Sequence, residues 1–145
     1  MVKNHAKNRN ETRMHPRVDV RIPVIFQIDE SSKSSIHIVD ESFIHGELMD
    51  ISVNGAGFFI PIFIPKGIRI VLQIQAVPFY SDREGPNEYI RTTAKVIYSR
   101  LDVQDTQSPR TEERFIRRYR TGVEYLKIDS SDQNAIQIYT EKNKS

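Results

Sequence analysis

The chain contains no cysteine. That absence removes disulfide scaffolds, zinc–thiolate sites, iron–sulfur clusters and cysteine nucleophiles together, and it fits a reducing compartment. Long apolar runs are missing too. The longest lies between Ala56 and Ile64 and is interrupted by Pro61, whereas a membrane-spanning helix needs roughly 20 apolar residues. The amino-terminal MVKNHAKNRNETR is basic but has no apolar centre, so it does not read as a secretory signal. These absences lead to the expectation of a soluble, cytoplasmic protein without a membrane span. Glycine (6) and proline (7) are too few for a collagen-like or low-complexity chain. Of the 145 residues, 38% are hydrophobic and 28% charged, which is enough apolar material for one compact domain with tails.

The net charge of +2 hides an asymmetry. Residues 1–21 hold Lys3, Lys7, Arg9, Arg13, Arg17 and Arg21 against Glu11 and Asp19, a local charge of +4, so the remainder carries −2. A local basic arm suits a small anionic ligand. A general nucleic-acid binder more often spreads basic residues over one face, so no DNA or RNA partner is expected. The arginines recur every four residues from Arg9 to Arg21. Pro16 prevents a helix from gathering them on one face, because the residue before a proline avoids helical geometry. They are expected to line an extended arm and the first strand. A guanidinium fork meets phosphate oxygens two at a time, and it also fits O6 and N7 of guanine.

Alternation organises the rest. Val18, Val20, Ile22, Val24, Phe26 and Ile28 share one parity, the pattern of a half-buried strand. Pro23 inside it suggests an edge or a bulge. Further strands are expected over Ile36–Val39, Phe43–Ile51, Ala56–Ile60, Ile68–Val77, Tyr89–Leu101 and Arg114–Lys127. Asp29–Ser35 and Pro65-Lys66-Gly67 read as turns, and Asn54-Gly55 as a tight hairpin turn with positive φ at both residues. Asp29–Gly46, Pro78–Glu88 and Asp102–Glu113 hold longer loop sequence. Ser130 and Gln133 form a capping-box pattern for a short helix, and the final residues from Glu141 are expected to fray. Six or seven strands and one terminal helix indicate an all-β antiparallel sheet, closed into a small barrel or stacked as a sandwich.

The chain carries no legible catalytic set. His5, His15, His37 and His45 lack ligand spacing, GxSxG and phosphate-loop motifs are absent, and Asp82, Glu84, Glu112 and Glu113 lie in polar loops. No enzyme activity, catalytic residue, metal or cofactor is expected. One segment stands out beside the arginines: Asp50-Ile51-Ser52-Val53-Asn54-Gly55. Asp50 and Ser52 share a strand face. A carboxylate accepts from the N1 and N2 donors of guanine, a hydroxyl donates or accepts, and Gly55 admits a flat ligand close to backbone. Plainer alternatives stand beside this reading: a solvated tail for the arginines, and local hairpin bonds for Asp50 and Ser52.

Taken together, the segments resemble the PilZ domain family. RxxxR stands as Arg13-Met14-His15-Pro16-Arg17, and [D/N]xSxxG as Asp50-Ile51-Ser52-Val53-Asn54-Gly55. Ala56-Gly57-Phe58 and Arg120-Thr121-Gly122-Val123-Glu124-Tyr125 add agreement, and the likeness covers residues 13–140. Arg9/Arg13 and Arg17/Arg21 also fit RxxxR; Arg13/Arg17 abuts the first strand as the family's motif does. Thr12 stands where many members carry another arginine.

The resemblance implies a six-stranded antiparallel β-barrel of the split-barrel type, with a short carboxy-terminal helix, that binds the bacterial second messenger cyclic di-GMP. It implies a receptor or adaptor in which Arg13 and Arg17 hold guanines and phosphates. Asp50, Ser52 and Gly55 would read a guanine, with Arg9 and Asn54 as further candidates. The domain is expected over residues 13–141, after a flexible basic arm over 1–12 and before a tail over 142–145. Cyclic di-GMP would order the arm around residues 5–17 against Asp50–Gly55. The signal would pass to an unidentified downstream protein or through self-association. The alternative is a PilZ-like interaction module that binds no nucleotide.

Overall fold

A computed structural model describes residues 17–35, 43–77, 79–80, 88–105 and 115–144. The described strands are β1 (Val18–Ile28), β2 (Ile44–Ile51), β3 (Gly55–Ile60), β4 (Arg69–Gln75), β5 (Tyr89–Asp105) and β6 (Phe115–Ile128). Helix α1 (Ser130–Asn143) follows. All the strand pairs are antiparallel, and the sheet closes in the order β1-β2-β3-β6-β5-β4. Of the two architectures open to the sequence, the chain takes the barrel. The strand expected over Ile36–Val39 lies outside the described residues.

Parity places the core. Val18, Val20, Ile22, Val24, Phe26 and Ile28 of β1 all point inward. They meet Leu48, Ile51, Phe58, Ile70, Leu72, Ile74 and Ile90 from the other strands. The rings of Phe26 and Phe58 lie 6.0 Å apart, tilted by 49°. Each such side chain contributes about 1.5–3 kcal/mol when fully buried. α1 docks through Ile136, which is wholly inaccessible. Pro23 is exposed and pairs with Glu47 of β2, while pairing to β4 begins only at Val24. The missing donor therefore falls where β1 has one neighbour, and the β1–β2 register shifts just before it, between Asp19 and Ile22.

Four expectations need correction. Asn54-Gly55 is not the centre of a turn with positive φ at both residues. Gly55 opens β3, and among the described glycines only Gly67 has positive φ, at 94°. The link is Val53-Asn54, closed by Ser52 N–H donating to the Gly55 carbonyl at 2.9 Å. Glycine is needed at position 55 because a Cβ there would collide with the backbone carbonyl oxygen of Val123 on β6.

The polar segment after Leu101 does not begin a loop. Asp102–Asp105 continue β5 and pair with Phe115–Arg118. Arg118 Nε donates to Asp102 Oδ2 at 2.9 Å, so polar residues satisfy each other across the ribbon. Asp29–Ser35 contains more than a turn: Glu30–Ser35 form a 3-10 helix, and Ser32 Oγ accepts from Arg69 N–H at 2.9 Å.

The helix cap is Asp129, one residue before the expected Ser130. Its Oδ1 accepts from the Ser131 N–H at 2.8 Å and from Ser131 Oγ at 2.6 Å. Gln133 completes no capping box; its Nε2 donates to the Val53 carbonyl at 3.0 Å. The helix runs to Asn143.

Candidate functional site

The site is built around Asp50, and a bulge puts it on the outside. Leu48 faces the core opposite Phe58, and plain alternation would send Asp50 inward with it. Instead Met49 and Asp50 together face Gly57, so the extra residue flips the parity. On its other side Asp50 pairs with Asp19 of β1.

Each carboxylate oxygen of Asp50 is then taken by one guanidinium. Arg17, the residue before β1, donates Nη1–H to Oδ1 at 3.1 Å. Arg120 of β6 donates Nη2–H to Oδ2 at 2.9 Å. Only 10% of the Asp50 side chain is exposed, so these are charge-assisted bonds partly shielded from water. Phe59 supports the cluster from below, with Arg118 3.7 Å and Arg120 5.7 Å from its ring centroid. Asp19, Val20, Arg21, Met49, Asp50 and Arg120 enclose an open recess of about 440 Å³ beside the pair.

The sequence motifs are thus partly reunited. Arg17 and Asp50, 33 residues apart, are in contact. Ser52 is buried and turned onto its own hairpin: its hydroxyl donates to the Gly55 carbonyl at 3.4 Å and accepts from the Asn54 N–H at 3.3 Å. Gly55 lies between that turn and β6. Asn54 borders a different groove, of about 660 Å³, with Arg91, Tyr125, Lys127 and Gln133. Arg9 and Arg13 lie outside the described residues. Arg21 is 75% exposed and stands 3.8 Å from Glu47.

Arg120 was missed by sequence reading. It is one of three arginines in Phe115–Tyr125, and only the closure that sets β6 beside β3 brings it near Asp50.

One further group senses the cluster. The hydroxyl of Tyr125 is buried and finds no hydrogen-bond partner among the described residues. Burial pushes the phenol well above its ordinary value, the Arg17 charge opposes this and the Asp50 charge adds to it. Among the described residues, no three His, Asp or Glu side chains converge to hold a metal ion.

The model of the PilZ domain matches residues 11–142. The chain belongs to the PilZ domain family. Its barrel resembles the PilZ domain of YcgR from Escherichia coli, described with c-di-GMP, at 14% identity and a TM-score of 0.58 over 90% of both chains. It also resembles MotI/DgrA, the inhibitor of motility of Bacillus subtilis, at 20% identity and a TM-score of 0.56. A third likeness is the MrkH–c-di-GMP complex of K. pneumonia, at 13% identity and a TM-score of 0.58. Each of the latter two is covered over 90% of this chain but only about half of its own length, 49% and 50%. At these identities the likeness establishes the fold. No curated protein sequence matches closely enough to count as a relative. In this PilZ domain Asp50-Ile51-Ser52-Val53-Asn54-Gly55 lies at the β2–β3 hairpin and Arg17 at the foot of β1.

Proposed function

We propose that this PilZ domain is a bacterial, cytoplasmic receptor for cyclic di-GMP, and not an enzyme. The observation that carries the reading is the meeting of Arg17 with Asp50, one residue from each motif, at 3.1 Å on the outer face of the barrel. Asp50 offers a carboxylate to the N1 and N2 donors of a guanine. Arg17, with Arg13 beside it in sequence, meets phosphate oxygens and stacks on purine faces. Ser52 and Gly55 act through the hairpin, holding the backbone that presents Asp50. Asn54 and Arg9 are further candidates for contact.

Ligand binding then joins the arm to the barrel. Affinity is reduced by the entropy of fixing the arm, and the changed surface is what a downstream protein reads. The test is calorimetric titration with cyclic di-GMP at moderate salt. Wild type is expected to bind saturably, and Arg13→Ala, Arg17→Ala and Asp50→Ala to weaken binding about tenfold or more, the effect of losing one charge-assisted bond. No heat and no thermal shift with wild type would sink the receptor reading. A PilZ module without a nucleotide ligand would behave that way.

A further inference from the structure

The recess beside Asp50 holds two guanidiniums that neither motif, as placed at Arg13–Arg17 and Asp50–Gly55, supplies. Arg120 is fixed by the barrel: it pairs across β6 with Phe59 of β3 and Arg100 of β5. Its guanidinium spends one donor on Asp50 Oδ2, at 2.9 Å. A guanidinium has five N–H donors, and no other acceptor meets it among the described residues. With 36% of its side chain exposed, it borders the recess. Arg21 stands on the β1 side of the same recess, and its contact with Glu47, at 3.8 Å, is too long for a hydrogen bond. Arg118 differs, because it is bound to Asp102 at 2.9 Å.

We propose that the recess between β1 and β6 is a phosphate subsite, in which Arg120, with Arg21 opposite, binds one phosphodiester group of the cyclic dinucleotide. The proposal rests on the receptor reading above and adds a barrel-borne arginine to it. An arginine fixed on a strand loses less freedom on binding than one on an arm. The same guanidinium that aligns Asp50 for a base would thereby set the distance between base and phosphate.

The experiment is titration of Arg120→Gln, Arg120→Lys, Arg21→Gln and Arg117→Gln with cyclic di-GMP over a range of salt concentrations. Melting curves verify that each variant is folded. Arg117 is exposed and pairs with Val103, on the opposite face of the ribbon from Arg118 and Arg120. Arg120→Gln is expected to weaken binding about tenfold or more and to flatten its salt dependence, because one screened charge pair is gone. Arg120→Lys keeps the steep salt dependence and recovers part of the affinity. Arg21→Gln shows a smaller loss of the same kind, and Arg117→Gln leaves both quantities at wild-type values. If wild type binds but Arg120→Gln binds equally well, or binds weakly with unaltered salt dependence, the phosphate subsite is overturned; in the second case Arg120 only aligns Asp50. If wild type does not bind, the receptor reading falls and takes the subsite with it.

Discussion

A Cβ on Gly57 would stand 2.9 Å from Asp50 Oδ2, 3.0 Å from Oδ1 and 3.2 Å from Cγ. The carboxylate lies over this residue because it has no side chain. Gly57→Ala is therefore expected to displace Asp50 from Arg17 and Arg120 and to weaken cyclic di-GMP binding at least about tenfold, with a melting temperature close to wild type. The nearest obstruction is the end of one side chain. Gly55→Ala should behave differently. Its Cβ would meet backbone of β6, and the loss belongs to stability, at about 2 kcal/mol or more. Thermal melts beside calorimetry separate the two. At this scale the motif residues were legible, since arginine, aspartate and glycine at fixed spacing carry chemistry in themselves. Arg120 was not, because its meaning depends on which strands become neighbours. For Ser52 the sequence left two orientations open, and the hairpin hydrogen bonds decide for the plainer one, local bonding within the turn.

Strand β1 was readable from parity alone, since one of its faces lies in the core, whereas β3, buried along nearly its whole length, was readable only as an apolar run after the hairpin. Element ends were less so. Asp129 and Ser130 are both good caps, and the sequence fits either frame; only the extended backbone of Asp129, φ −60° and ψ 136°, decides it. Asp129→Ala should then cost about 1 kcal/mol in helix docking, measured by denaturant melts, while Ser130→Ala should cost far less. The end of β5 was hidden for a different reason. Asp102 reads as loop on polarity, but Arg118 lies across from it, and a cross-strand ion pair makes a polar strand. The bulge at Met49 was invisible as well, although it decides which way Asp50 faces.

On the scale of the whole molecule, an all-β chain with one terminal helix was legible from the count of alternating runs. Closure into six strands followed from the family resemblance and is what the chain adopts; periodicity alone gave neither closure nor strand order, because it tells which face is buried and not which strand lies beside which. Closure leaves the Tyr125 hydroxyl inside without a partner among the described residues. Its proton is held more tightly in the folded chain than in the unfolded one, where a tyrosine titrates near about 10. Above that pH the unfolded chain sheds a proton that the folded chain keeps, so stability falls as pH rises; below it the contribution is constant. Tyr125→Phe should remove this alkaline loss and, by deleting an unsatisfied polar atom, raise stability near neutral pH by about 1 kcal/mol. Chemical denaturation of both proteins from neutral pH upward measures the difference.

The two longest strands are held unevenly. β4 covers β5 only as far as Lys95, and β3 covers β6 only as far as Tyr119, so among the described residues Asp102–Asp105 and Phe115–Arg118 have no strand but each other. Their amide protons should exchange with deuterated solvent early, by peeling from the tip, while those of Ile90–Val96 wait for global opening. One continuous ladder would thus report two clocks.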